Sequence, residues 1–174
     1  QSSLYDYVEV ILNGKEKKIT FSIDVLHPDR PVIFSASEEN KKWYQFKKEQ
    51  DNLLQNIEAL NQLVVNYTSK NAEIVKQTQN ALVNAQKEYK EHQQNFVKAN
   101  PNTWAAIMVQ NRSQYFTNAL ATPEEQERER KMHFWEGITT TDPKLINTPL
   151  YTEHILNYLQ EYINPQKELT EEER

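Results

Sequence analysis

Residues 38–100, EENKKWYQFKKEQDNLLQNIEALNQLVVNYTSKNAEIVKQTQNALVNAQKEYKEHQQNFVKAN, hold the longest continuous helical pattern in the chain. Trp43, Phe46, Leu53, Ile57, Leu60, Val64 and Tyr67 recur at alternating steps of three and four, with polar Gln50 in the one gap, which is the stripe of an amphipathic helix. Val75, Thr78, Leu82, Ala85, Tyr89, His92 and Phe96 repeat the alternation one residue out of step. The offset falls at Thr68, Ser69, Lys70 and Asn71, mostly poor helix formers, and Asn tolerates the left-handed conformation that ends a helix. This predicts two antiparallel helices. One continuous helix with a local irregularity stays open as the alternative.

Working toward the N-terminus, Asn13-Gly14 sits between apolar runs at Leu4 to Leu12 and Ile19 to Val25, the arrangement of a two-residue type I′ hairpin. That turn would set Val8 opposite Ile19 and Leu4 opposite Ile23, with Val10 and Phe21 on the same buried face and Ile11 the one aliphatic on the wetter face. Val32 to Ala36 reads as a third strand after a loop at His27 to Pro31. Ser37 with Glu38, Glu39 and Asn40 reads as the cap and acidic first turn of the first long helix.

Toward the C-terminus, Asn100-Pro101 stops the second helix, because proline disfavours helical geometry in the residue before it. Thr103 caps a short helix with Trp104, Ile107, Met108 and Tyr115 on its apolar face. Thr122-Pro123-Glu124-Glu125 combines a capping box with proline at the first helical position, and Gly137 supplies the left-handed end beyond Met132, Phe134 and Trp135. Thr139 to Pro149 reads as loop with a turn at Asp142-Pro143. Thr148-Pro149 starts a final helix that buries Tyr151, Ile155, Tyr158, Leu159 and Tyr162.

The expected fold is therefore α+β and predominantly helical, a small antiparallel sheet packed on a long helical hairpin with shorter helices after it. Its segments are a β-region at 1–37, a helical region at 38–165 (hairpin 38–100, short helices 103–165) and a charged linker or tail at 166–174.

Composition limits the chemistry. The 174 residues carry a net charge of -5 and no Cys, which excludes a disulfide framework, a thiolate zinc site and thiol redox chemistry within them. With two Gly in the whole sequence, no phosphate-cradling glycine loop can be written. The excess of acid, with only a short Lys15 to Lys18 basic cluster, argues against nucleic acid as a partner. No apolar run is long enough for a membrane span, and the first residues lack a signal pattern, although a leader or lipid anchor upstream of Gln1 stays open.

Four histidines, His27, His92, His133 and His154, lie on different elements. Glu88 with His92 and Glu129 with His133 have helical i, i+4 spacing, yet neither carries the second His of a zinc-protease motif. No nucleophile elbow or carboxylate pair stands out, and Asn66-Tyr67-Thr68 and Asn111-Arg112-Ser113 match the short N-glycosylation pattern without further support. Trp43, Trp104 and Trp135 could make an aromatic ligand platform, but each sits on an apolar stripe or beside a helix end, so core packing is the expectation. Catalytic, cofactor-binding and metal residues are thus assigned to none, and no enzyme activity is expected of the chain.

Glu38-Glu39-Asn40-Lys41-Lys42-Trp43-Tyr44, then Phe96 through Ala106 (FVKANPNTWAA), Phe134-Trp135-Glu136-Gly137-Ile138 and Asp142 through Leu150 (DPKLINTPL) give the succession a resemblance. It resembles the N-terminal accessory region of exported Gram-negative bacterial thiol-disulfide oxidoreductases, in which a β-rich segment and a helical region precede a thioredoxin-like module with a Cys-x-x-Cys centre. The resemblance covers most of residues 1–165 through short motifs. It implies a non-catalytic extracytoplasmic domain, periplasmic or held at a membrane by a lipid anchor, that positions a thioredoxin-like module of the same protein or binds its protein client. The family's sheet usually has earlier strands, and the redox module is missing here, so no catalytic residue carries over. An oligomerisation or scaffolding module built on the helical seam is the alternative, and a monomer or weak dimer is expected.

Overall fold

A computed structural model describes residues 8–27, 30–67, 72–112, 114–139, 141 and 143–163. Within them lie strands β1 (Thr20–Ser22) and β2 (Ile33–Ala36), helices α1 (Glu38–Tyr67), α2 (Ala72–Ala99), α3 (Trp104–Gln110), α4 (Pro123–His133) and α5 (Pro149–Tyr162), and a 3₁₀ turn at Pro143–Asn147. The fold is α+β and mostly helical. The chain forms two compact units, Gln1–Val109 and Gln110–Arg174.

In the first unit, α1 and α2 form an antiparallel hairpin, and their ends flank the expected break, which lies outside the described residues. Lys42 Nζ near the start of α1 donates to Asn100 Oδ1 just past the end of α2 at 3.0 Å. Phe46 packs between the rings of His92 (4.8 Å) and Phe96 (4.5 Å). Both stripes turn inward: Trp43, Phe46, Ile57 and Val64 are buried on α1, as are Leu82 and Tyr89 on α2. Gln50, the polar gap in the first stripe, is buried with them. Its amide faces the Tyr89 hydroxyl, whose pKa burial raises and the amide partly lowers. The approach falls short of hydrogen-bond geometry, and Gln50 Nε2 and Oε1 have no hydrogen-bond partner among the described residues.

The sheet departs from expectation in its pairing. A type I′ turn needs positive φ at both central residues, and Gly14 (φ 70) has it while Asn13 does not. Asn13 Oδ1 instead accepts from the Lys15 and Glu16 amides at 2.9 and 3.1 Å, a side-chain turn that competes with a hairpin. No strand forms at residues 8–12. β1 pairs antiparallel with the expected third strand, Phe21 facing Phe34 and Ser22 facing Ile33, with an irregularity between Thr20 and Phe21. Leu4 lies outside the described residues. The burial also departs from expectation: Ile11, expected outside, is buried, whereas Val8, Val10 and Ile19 are only half-buried, Phe21 and Ile23 are 40% and 48% exposed and Leu12 is 77% exposed.

Residues 8–16 form a strap across the first turns of α1, held by side chains in place of a strand partner. Ile11 N–H donates to Asn40 Oδ1 at 2.8 Å, and Asn40 Nδ2 donates back to the Ile11 carbonyl at 2.9 Å. The amide thus imitates one rung of a β-ladder, and Asn40 is fully buried. Tyr44 Oη donates to the Glu9 carbonyl, Trp43 Nε1 to the Glu9 carboxylate, and Lys47 pairs with that carboxylate at 3.6 Å while lying 3.8 Å from the Tyr44 ring. At the strap's far end Glu16 accepts from the Ser37 hydroxyl (2.5 Å) and the Glu38 amide (3.0 Å). Ser37 caps α1 as expected, its Oγ accepting from Asn40 N–H at 3.2 Å, but does so at φ 133, a costly region for a residue with a Cβ.

In the second unit the capping box at Thr122 and Glu125 forms in both directions, and Gly137 (φ 80) closes the turn after α4. The expected 139–149 loop contains the 3₁₀ turn, whose Leu145 is buried. Thr148 precedes α5 with extended backbone but does not cap it; its hydroxyl donates backward to the Leu145 carbonyl at 2.8 Å. The buried side of α5 is Leu150, with His154, Ile155, Tyr158 and Tyr162 half-buried; Tyr151 and Leu159 are exposed, contrary to expectation. α3 stops before Tyr115, which belongs to the second unit. Among the described residues, no helix is long and apolar enough to cross a membrane.

Candidate functional site

Each unit carries a cleft with polar walls. The cleft of the first unit, about 280 Å³, lies where the strap meets the starts of α1 and α3. Most of its polar groups are occupied by the fold, the side chains of Lys15 and Asn102 being the exceptions among the described residues. Glu39 accepts from Asn13 Nδ2 (2.6 Å) through one oxygen and from the Ala105 amide (3.0 Å) through the other. Glu16 caps α1, Lys42 reaches Asn100, and Glu38 pairs with Lys41 at 2.7 Å. Ala105 N–H is one of the orphan donors at the start of α3, and Thr103 Oγ1 takes another, from Ala106.

The cleft of the second unit, about 460 Å³, is built by residues 111–115, α4 and α5. Its floor is aromatic. Tyr115 stacks face to face on His133 (4.0 Å, 5° between planes), and Phe134 packs against His154, Tyr158 and Tyr162 at 4.5 to 5.5 Å. Trp135 closes the cluster against His154 and Tyr158. The histidines are orientated by acceptors. His154 Nε2 lies 3.0 Å from the Phe134 carbonyl, which can only accept, so Nε2 carries the hydrogen. His133 Nδ1 meets the Glu136 carboxylate at 2.8 Å in the same manner. Both rings therefore serve as fixed walls.

Above that floor four polar side chains are unspent. The side chains of Gln114, Arg130, Glu153 and Asn157 line the cleft and make no hydrogen bond or ion pair among the described residues. Glu161 lies beside Tyr162, whose pKa is raised first by burial and then by the Glu161 charge, with Arg130 opposing. Arg112 and Asn111 also line the cleft but are engaged, Asn111 Oδ1 accepting from the Thr139 amide at 2.8 Å.

The sequence had weighed two Glu/His pairs and three tryptophans. His92 faces Glu49 across the hairpin at 3.9 Å, and His133 takes Glu136, so each finds a carboxylate other than its i−4 neighbour. No group of three potential metal ligands occurs among the described residues. Trp43 is core, at 1% exposure, and Trp104 is half-buried; Trp135 corrects the core expectation, at 39% exposure beside the cleft. Asn111, in one glycosylation pattern, is buried. Sequence reading missed Tyr115, Arg130, Glu153, Asn157 and Glu161. One signal was available: on α5, Glu153, Asn157 and Glu161 recur at helical spacing directly beside His154, Tyr158 and Tyr162, a polar row with an aromatic edge.

Compared with known proteins, the chain matches no family model, no curated protein and no solved structure.

Proposed function

We propose that this chain is a non-catalytic accessory domain that binds a protein client or positions a thioredoxin-like redox module in an extracytoplasmic thiol-disulfide oxidoreductase. The observation that carries the binding half of this reading is the second unit's cleft, which sets unspent polar side chains over an aromatic floor, the usual make-up of a ligand site. The redox-family half, with its location outside the cytoplasm and lipid anchor, rests on the resemblance of the helix-start and proline motifs. With no Cys, the chain has no thiolate for disulfide exchange. Reading the gene past the Arg174 codon tests the family assignment: a Cys-x-x-Cys within a following module is expected, and a stop codon would overturn it.

A second reading is an oligomerisation module. Leu63, Val65, Ile74 and Val83 are 45 to 61% exposed near the tip of the hairpin, apolar surface that a second copy could cover. Against it, the main stripes are consumed within one chain, from Val64 at 0% to Ile57 at 6% exposure. Light scattering over a dilution series separates the two. The accessory reading expects 20.6 kDa at every concentration, and a stable elongated dimer would transfer the assignment to the scaffold.

A further inference from the structure

We propose that Asn13 is a site of spontaneous covalent modification, at which the carboxamide cyclises onto the Gly14 nitrogen and opens to a carboxylate that loosens the strap from Glu39. The change needs no partner and is independent of what the chain binds.

The nucleophile is the Gly14 nitrogen. Of the two Gly in the sequence only Gly14 follows an Asn, and it has no Cβ to hinder attack on the Asn13 Cγ. Every other Asn is followed by a residue with a side chain. Gly14 is exposed and its N–H meets no acceptor among the described residues, so solvent base reaches it.

The electrophile is held in place by the turn. Asn13 Oδ1 accepts from the Lys15 and Glu16 amides at 2.9 and 3.1 Å, and attack at Cγ converts that oxygen into an oxyanion facing two backbone donors. Gly14 N gives its proton to water as the new N–C bond forms, and Nδ2 takes a proton from water and leaves as ammonia. Water then opens the cyclic imide at either carbonyl, giving aspartate, or isoaspartate with the chain rerouted through the side chain. One water is consumed and one ammonia released overall, with no oxidant or reductant.

The product faces a carboxylate. Asn13 Nδ2 donates to Glu39 Oε2 at 2.6 Å, while Glu39 Oε1 accepts from the Ala105 amide at 3.0 Å. An ionised carboxylate has no proton to donate, so two like charges meet at hydrogen-bond distance in a part-buried position. Of the cations lining this cleft, Lys42 is bonded to Asn100 and Lys15 is exposed, where solvent screens it. Glu39 therefore turns away, and the strap and the Ala105 amide lose their shared partner. Isoaspartate also lengthens the backbone between Ile11, held by Asn40, and Glu16, held by Ser37.

The first test is incubation of the full chain in mildly alkaline buffer at physiological temperature, beside a blocked peptide of residues 10–17. Peptide mapping by mass spectrometry follows the loss of ammonia, and enzymatic methylation detects isoaspartate. Asn13 is expected to convert before any other asparagine, and at least as fast in the native chain as in the peptide. Earlier conversion elsewhere, or slower conversion of Asn13 in the native chain, overturns the proposal. The second test takes Asn13→Asp as the aspartate product. Amide exchange in deuterium oxide should quicken at least about tenfold at Ile11 and Ala105. Adding Glu39→Gln should return both to within about threefold of the native chain, because the new carboxamide donates to the aspartate and still accepts from Ala105. Unchanged exchange in the single variant, or no recovery in the double one, overturns the proposal. A single variant that does not fold is read through the double variant, whose folding supports the proposal and whose failure overturns it.

Discussion

The two clefts look alike in composition and differ in how their polar groups are spent. In the first unit, Glu39, Glu16, Asn13 and Lys42 line a hollow, yet every one of them bonds an element that the fold must hold in place. In the second, Arg130, Glu153, Gln114 and Asn157 hold nothing among the described residues. A charged residue in a hollow therefore points to a ligand only after its bonds within the chain have been accounted for, because a buried polar group has to be satisfied by something.

That contrast predicts opposite mutational behaviour. Asn40→Ala should be the most damaging polar substitution, costing about 3 to 5 kcal/mol, since it strands both the N–H and the carbonyl of Ile11 away from water. A loss under about 1 kcal/mol in urea denaturation would mean that the strap is not integral to the first unit. Glu39→Ala should cost about 1 to 3 kcal/mol by releasing both Asn13 and the Ala105 amide. Gln50→Leu should do the reverse and stabilise the hairpin by about 1 to 2 kcal/mol, because the buried amide has no partner to lose; a destabilised variant would show that the amide is satisfied in solution.

In the second unit, Glu153→Gln with Glu161→Gln should shift stability by less than about 0.5 kcal/mol. A larger loss would place these carboxylates in the same structural role as Glu39. Smallest of all is an acid effect at α4. The Glu125 pKa is lowered, first by the Thr122 amide and then by the Thr122 hydroxyl. A lowered folded value means the contribution is complete above the unfolded carboxylate value of about 4.3 and fades as pH falls through the folded one. The Glu125 carboxyl resonance should titrate below that value, and Thr122→Ala should move it back toward it.

Much of the helical architecture was legible because its signals are local and agree with one another. The stripe from Trp43 to Val64, the stop at Asn100-Pro101 and the capping box at Thr122 each follow from spacing and cap chemistry, and each is found in place. The sheet failed where a distant residue outbid the local turn. Asn13-Gly14 has hairpin preferences, but Asn40, 29 positions from Ile11, supplies the backbone partner that a strand would have supplied. Nothing near Ile11 announces that contact. On α5, Ile155, Tyr158 and Tyr162 turn inward as expected, but the edge of the face differs, since Tyr151 and Leu159 fit an apolar helix pattern as well as Leu150 and His154 do. The cleft was harder still, because it needs Tyr115, α4 and α5 brought together, and an exposed glutamate on a helix reads as solvation until its neighbours are known.

The amide rung between Asn40 and Ile11 has a kinetic consequence. A backbone amide exchanges its hydrogen with solvent only when its bond opens, and a bond inside a ladder is shielded by those on either side. Among the described residues no ladder bond flanks that of Ile11; its amide is held by one side chain on the first turn of α1. Its exchange rate should therefore report the opening of that turn and of the strap together, at an energy below global unfolding. In deuterium oxide, the Ile11 amide would act as a clock for how often the N-terminal strap lifts from the helix that holds it.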